Sequence, residues 1–71
     1  MDFEIVSGSE GDIVIAGPDT IHKYSRTGKR LYSDIPDRKM FRELCYVIPP
    51  VRINAESEQE ALRMFEMEIG K

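Results

Sequence analysis

Apolar positions in the first half of the chain fall in short strand-like runs between turn signals, and in the second half they take helical spacing. Phe3-Glu4-Ile5-Val6 reads as a strand, and Ser7-Gly8-Ser9-Glu10-Gly11 follows as a turn cluster. Asp12 to Ala16 is rich in β-branched residues and predicts a second strand. Gly17-Pro18-Asp19 is the next turn, because proline presets φ and glycine tolerates φ > 0. Ile21 to Arg26 and Lys29 to Ser33 predict strands three and four, joined at Thr27-Gly28.

A two-residue turn at Thr27-Gly28 pairs Arg26 with Lys29, Ser25 with Arg30 and Tyr24 with Leu31. Side chains alternate across a strand, so Tyr24 and Leu31 then share the core face. Lys23, Arg30 and Tyr32 share the open face. An aromatic ring among cations there suits a binding surface, although Tyr32 could also simply lie against Arg30.

The second half is helical at both ends. Pro36 suits a first helical turn. Met40, Phe41 and Leu44 fall on one face, with Arg38, Lys39, Arg42 and Glu43 outside, which predicts a short helix over 36–44. Cys45 to Ile48 and Val51 to Ala55 read as strand. Pro49-Pro50 removes two backbone donors and belongs at a bulge or an edge. Ser57-x-x-Glu60 is a capping box, in which Glu60 is expected to reach back to Ser57. Ala61, Leu62, Phe65 and Ile69 form the stripe of the last helix, and Gly70 is its stop. The expected fold is α+β: an antiparallel meander of four or five strands, one face packed on the C-terminal helix, with one additional short helix. Ile5, Ile13, Ile15, Tyr24, Leu31 and Ile53 are the candidate core of the sheet.

Length and composition narrow the picture. Seventy-one residues allow one domain, 1–71, of modest stability. A single cysteine, Cys45, excludes an intrachain disulfide, and with one histidine, His22, it makes a poor metal site. No cofactor or metal is expected. No apolar run approaches the length of a spanning helix, the first residues are acidic where a secretion signal is basic, and a lone thiol suits a reducing, cytoplasmic setting.

The charge is unevenly distributed. Residues 1–19 carry five acids and no base; 20–42 carry seven bases against two acids; 43–71 carry six acids against three bases. The seven bases, Lys23, Arg26, Lys29, Arg30, Arg38, Lys39 and Arg42, together with Tyr32, are the candidate partner-binding residues. A basic face favours an acidic protein patch. The acidic flanks would repel a duplex, which places nucleic acid second. No membrane partner is expected, and a homodimer is compatible.

Catalytic chemistry finds little footing. Nothing brings Cys45 and His22 together as nucleophile and base, and Cys45, beside Leu44 and Tyr46-Val47, reads as a small buried hydrophobe. His22 reads as structural, on the core side of the hairpin or near its edge. Glu56, Glu58, Glu60, Glu66 and Glu68 read as a solvated helix face. The early glycines lack the lysine and the helix of a phosphate loop. Met64 and Met67 flank the last helix and offer adaptable contacts.

Two local resemblances stand out. Gly11 to Lys29 resembles a piece of an NHL-type propeller blade with a shortened second turn, which implies a β-meander. Tyr46 to Leu62 is similar to a module of small phage and mobile-element proteins, some anti-CRISPR proteins among them. In that module a strand ending in Ala-x-Ser-x-x-x-Ala (here Ala55, Ser57 and Ala61) runs into a capped helix; the Pro49-Pro50 pair departs from it. The second resemblance implies a compact α+β domain and a phage-encoded inhibitor, and carries over no functional residue. The functional expectation is a small protein-binding inhibitor or adaptor that acts on a host protein complex without catalysis. The alternative is a nucleic-acid-binding regulator using residues 20–42.

Overall fold

The computed structural model describes residues 1–8 and 10–69. The chain forms β1 (Asp2–Ser7), β2 (Ile13–Ala16), β3 (Ile21–Tyr24), β4 (Arg30–Leu31), α1 (Arg38–Val47), β5 (Val51–Asn54) and α2 (Glu58–Ile69). All neighbouring strands pair antiparallel, in the order β4-β3-β2-β1-β5. The fold is the expected α+β sheet, with α2 packed on it.

The two helices take opposite faces. Phe3, Ile5, Ile13, Ile15, Tyr24 and Ile53 point to one side and pack with Ala61, Leu62 and Phe65 of α2. Val6, Val14, Ala16 and Ile21 point to the other and pack with Phe41, Leu44, Cys45 and Ile48. Alternation alone produces this division, because β1 and β2 carry apolar residues at odd and even positions alike. Helix α1 is three residues longer at its C-terminal end than its sequence suggested. Cys45, Tyr46 and Val47 are helical, not strand. Leu44, Cys45 and Ile48 continue the helical spacing from Phe41 onto the sheet, and that burial overrides a local β preference.

The β3–β4 hairpin has a different register from the one a two-residue turn requires. Ser25 N–H donates to the Lys29 carbonyl at 2.8 Å, and Tyr24 pairs with Arg30 and Lys23 with Leu31. The loop is therefore Arg26-Thr27-Gly28, with Gly28 at φ 91°. This is a three-residue connection in which the glycine takes the left-handed position. One extra loop residue moves every β4 side chain to the opposite face. Leu31 consequently lies on the α1 side with Lys23, and Arg30 lies on the α2 side with Tyr24. Lys23 and Arg30 do not share a face. Gly11, also at φ 91°, has the Arg26 side chain against it; a Cβ there would meet Arg26 Cδ at 2.8 Å. The sequence 11–29, which resembles a propeller-blade segment, forms the β2–β3 pair and this hairpin loop.

Both helices start on a capping side chain. Asp37 accepts from the Met40 N–H at 2.8 Å. Ser57 Oγ accepts from the Glu60 N–H at 3.2 Å, as the capping box predicts. The reciprocal arm differs: Glu60 Oε2 accepts from the N–H of Glu56 at 3.3 Å, one residue before the expected one. Pro49 and Pro50 sit where β5 is about to begin on the sheet edge. The Gly70 stop lies outside the described residues, as do the Glu68 and Ile69 side chains.

Ser57→Ala and Asp37→Ala should each cost about 0.5–2 kcal/mol, a large share of the stability of a domain this size. Urea midpoints measure this. An unchanged midpoint in either variant would contradict the cap at that helix.

Candidate partner-binding surface

The structure divides the predicted basic segment between distant places. Arg26 packs over Gly11, beyond the start of β2, and Lys29 closes the same hairpin. Arg38 Nη2 donates to the Gly17 carbonyl at 2.7 Å, beyond the other end of β2. Lys23 is half-buried on the α1 side, with Nζ 3.9 Å from Asp12. Arg30 lies on the α2 side, its guanidinium 6.0 Å from the Tyr24 ring centre and 5.1 Å from that of Tyr32. Tyr32 thus stacks on Arg30 while staying largely exposed. The Arg30 Nε is buried and has no hydrogen-bond partner.

What the fold does bring together is the outer face of α1. Phe41, Leu44, Cys45 and Ile48 face the sheet, so Lys39, Glu43 and Tyr46 point away from it, with Arg42 on the flank between Lys39 and Tyr46. Tyr46 is 82% exposed and Val47 79%, with Met40 at 58% on the flank. Tyr46 was not among the candidates because its segment reads locally as strand. The signal that finds it is the continuation of the Phe41 spacing through Leu44, Cys45 and Ile48.

Beyond the Asp37 cap, the first-turn charges of α1 run against its dipole. Arg38 and Lys39 open the helix, no acid lies in its first turn and no base in its last. Cations near a helix N-terminus oppose the macrodipole, a cost on the order of 0.3–1 kcal/mol for an exposed group at low salt. Helix α2 does the reverse, with Glu58 and Glu60 in its first turn. Neither of the two ion pairs among the described residues involves Lys39 or Arg42. Arg38 and Arg42 form one wall of a cleft of about 270 Å³ whose far wall holds Asp2 and Glu4.

A second constellation lies on the opposite face. Glu58 Oε1 is 2.6 Å from His22 Nδ1, and its Oε2 accepts from the Tyr24 hydroxyl at 3.0 Å. Glu58 is therefore a half-buried clamp between α2 and β3, not part of the solvated face. His22 and Tyr24 are two residues apart on one strand and so face the same way; two polar groups on a core face require a polar partner, and that was the available signal. His22 lies on the α2 side of the sheet and the lone thiol, Cys45, on the other, so the two do not meet. Cys45 packs among the α1-side residues, where burial, and then the nearby Glu4 carboxylate, raise its pKa. Among the described residues no cluster of three or more metal-ligating side chains occurs, and no helix is long and apolar enough to cross a membrane.

Burial raises the Tyr24 pKa above its ordinary value of 10.0, helped by the Glu58 hydrogen bond and charge and opposed by Arg30. The folded state thus holds the phenol proton more tightly than the unfolded chain. That contribution is intact below about pH 10 and is lost as the pH climbs above it. The phenolate that disappears from an ultraviolet titration of Tyr24→Phe should be one ionising above pH 10, and Glu58→Gln should bring it down. A missing phenolate that ionises at or below 10 would contradict the clamp. No family model, no curated protein and no solved structure matches the chain.

Proposed function

We propose that this protein is a small binding protein that acts on another protein, as an inhibitor or adaptor, through the outer face of α1. The observation that carries the reading is a helix that opens on cations opposing its own dipole and leaves a tyrosine exposed on its outer side. Selection for folding alone favours acids at that end. Tyrosine and arginine are the residue types that dominate binding energy at protein interfaces. Lys39 and Arg42, free of ion pairs with described carboxylates, would meet an acidic patch and speed association with it. Arg38 both ties the helix to the β2–β3 turn and adds charge. Lys23, Arg26, Lys29, Arg30 and Tyr32 lie away from this face and are not needed by it. Binding alone performs the function; no catalytic step is invoked. The strand–helix resemblance adds an origin to the reading: a phage-encoded inhibitor working inside a host cell. Division of the basic segment between two ends of the sheet weighs against a continuous phosphate-tracking stripe, and so against nucleic acid.

Capture from a bacterial lysate, repeated with Lys39→Glu/Arg42→Glu and with Tyr46→Ala, tests the proposal. Each variant should weaken binding of an acidic protein about tenfold or more, and moderate salt should weaken the parent. Capture unchanged in both variants would remove α1 from the argument. Submicromolar binding to random DNA or RNA at physiological salt, abolished by the double reversal, would replace the protein partner with nucleic acid.

A further inference from the structure

β5 leaves one side of the sheet unpaired, and the hydrogen-bond phase shows which groups it offers. Directly opposed residues of antiparallel strands alternate between pairs that exchange both main-chain bonds and pairs that exchange none. Met1 and Ala55 exchange both, at 2.9 Å each. Counting along the β1–β5 register, Phe3–Ile53 and Ile5–Val51 are also bonded pairs, while Asp2–Asn54 and Glu4–Arg52 are not. The N–H and C=O groups of Arg52 and Asn54 therefore point out of the sheet edge. Among the described residues no strand lies beyond β5, and Val51, Arg52 and Asn54 are exposed. The opposite edge, β4, is only two residues long.

We infer that β5 pairs with β5 of a second copy of this chain, joining two five-stranded sheets into one. This surface is separate from the α1 face and does not depend on the reading given to it. A two-fold axis at Ile53 sets Arg52 of one copy opposite Asn54 of the other. Both residues carry outward donors and acceptors, so four main-chain hydrogen bonds form. The side chains agree. Arg52 and Glu4 stand side by side on the α1 face, and Asn54 donates to Asp2 at 2.7 Å. Across the joint the row becomes Glu4, Arg52, then Asn54 and Asp2 of the second copy. Arg52, which makes no ion pair among the described residues, then stands between Glu4 of its own copy and the Asn54–Asp2 pair of the second, with no like charge opposite it.

Adjacent registers fail for stated reasons. A shift one way sets Arg52 against Arg52 on the axis. A shift the other way requires the Glu56 N–H, which already donates to Glu60. On the α2 side the chosen register brings Ile53 beside Ile53 and sets Val51, 36% exposed, against Ala55. The joint also puts both α1 helices on one face of the shared sheet, which would make a bivalent surface.

Light scattering across a concentration series, together with amide exchange by nuclear magnetic resonance, tests the inference on the whole chain. The mass should rise from 8.2 kDa to twice that value. In parallel the Arg52 and Asn54 amides should become protected, approaching Ile53, whose N–H is bonded to β1. Arg52→Pro deletes an outward N–H without touching a β1 bond and should hold the mass at the monomer. Arg52→Glu leaves the backbone intact, repels Glu4 and Asp2, and should do the same should the proline variant fail to fold. A monomer at every concentration with freely exchanging Arg52 and Asn54 amides overturns the inference. So does a dimer that survives Arg52→Glu with those amides unprotected, since it uses another surface. Protection that appears only when a captured foreign protein is added also overturns it, in favour of a partner's strand.

Discussion

β1 and β2 are apolar on both faces, and the rest of the molecule follows from that constraint. Ile5 stands opposite Ile15, and both are completely buried under α2; Val6 stands opposite Val14 beneath α1. Apolar area left in water costs about 25 cal/mol per Å², so a sheet of this kind must be covered twice. Two helices do this, and each takes one face. Phe41 is the one buried residue of α1. It is the side chain through which the second layer is held, and losing such a ring costs about 3–5 kcal/mol in general.

The two layers meet the demands of stability differently. Helix α2 is built to fold: Ser57 caps it, acids sit at its positive end, and Glu58 fastens its first turn to His22 and Tyr24. Helix α1 is capped by Asp37 but then carries Arg38 and Lys39 against its dipole and exposes Tyr46 and Val47. Local features that agree with the fold need no further explanation. Those that oppose it are where functional demands are expected to show. That contrast is what directs attention to α1.

Much of this was legible in the chain because the signals are local. The strand-forming runs in 3–6 and 12–16, the Gly17-Pro18 turn and the Ser57 cap each involve residues within a few positions of one another. What was not legible depends on partners far away. The Thr27-Gly28 dipeptide suits a two-residue turn, and only the bond from Ser25 N–H to the Lys29 carbonyl reveals the extra loop residue. Arg30 and Leu31 exchange faces as a result, and a basic face built on Lys23, Arg30 and Tyr32 dissolves. Cys45 to Ile48 is β-branched and aromatic enough to read as strand until the second apolar face of the sheet is seen to need Leu44, Cys45 and Ile48. Tyr46 and Glu58 were missed for the same reason: one is turned outward, and the other inward, by packing that no short window contains.

The twofold covering of the sheet is open to direct measurement. Nuclear Overhauser effects on the labelled protein should join the Phe41 ring to the methyls of Val6 and Val14, and the Phe65 ring to those of Ile5 and Ile15. Neither ring should reach the other's set, because the sheet lies between them. Contacts from both rings to one set of methyls would place both helices on one face and contradict the account, including its assignment of Lys39 and Tyr46 to the outward side of α1.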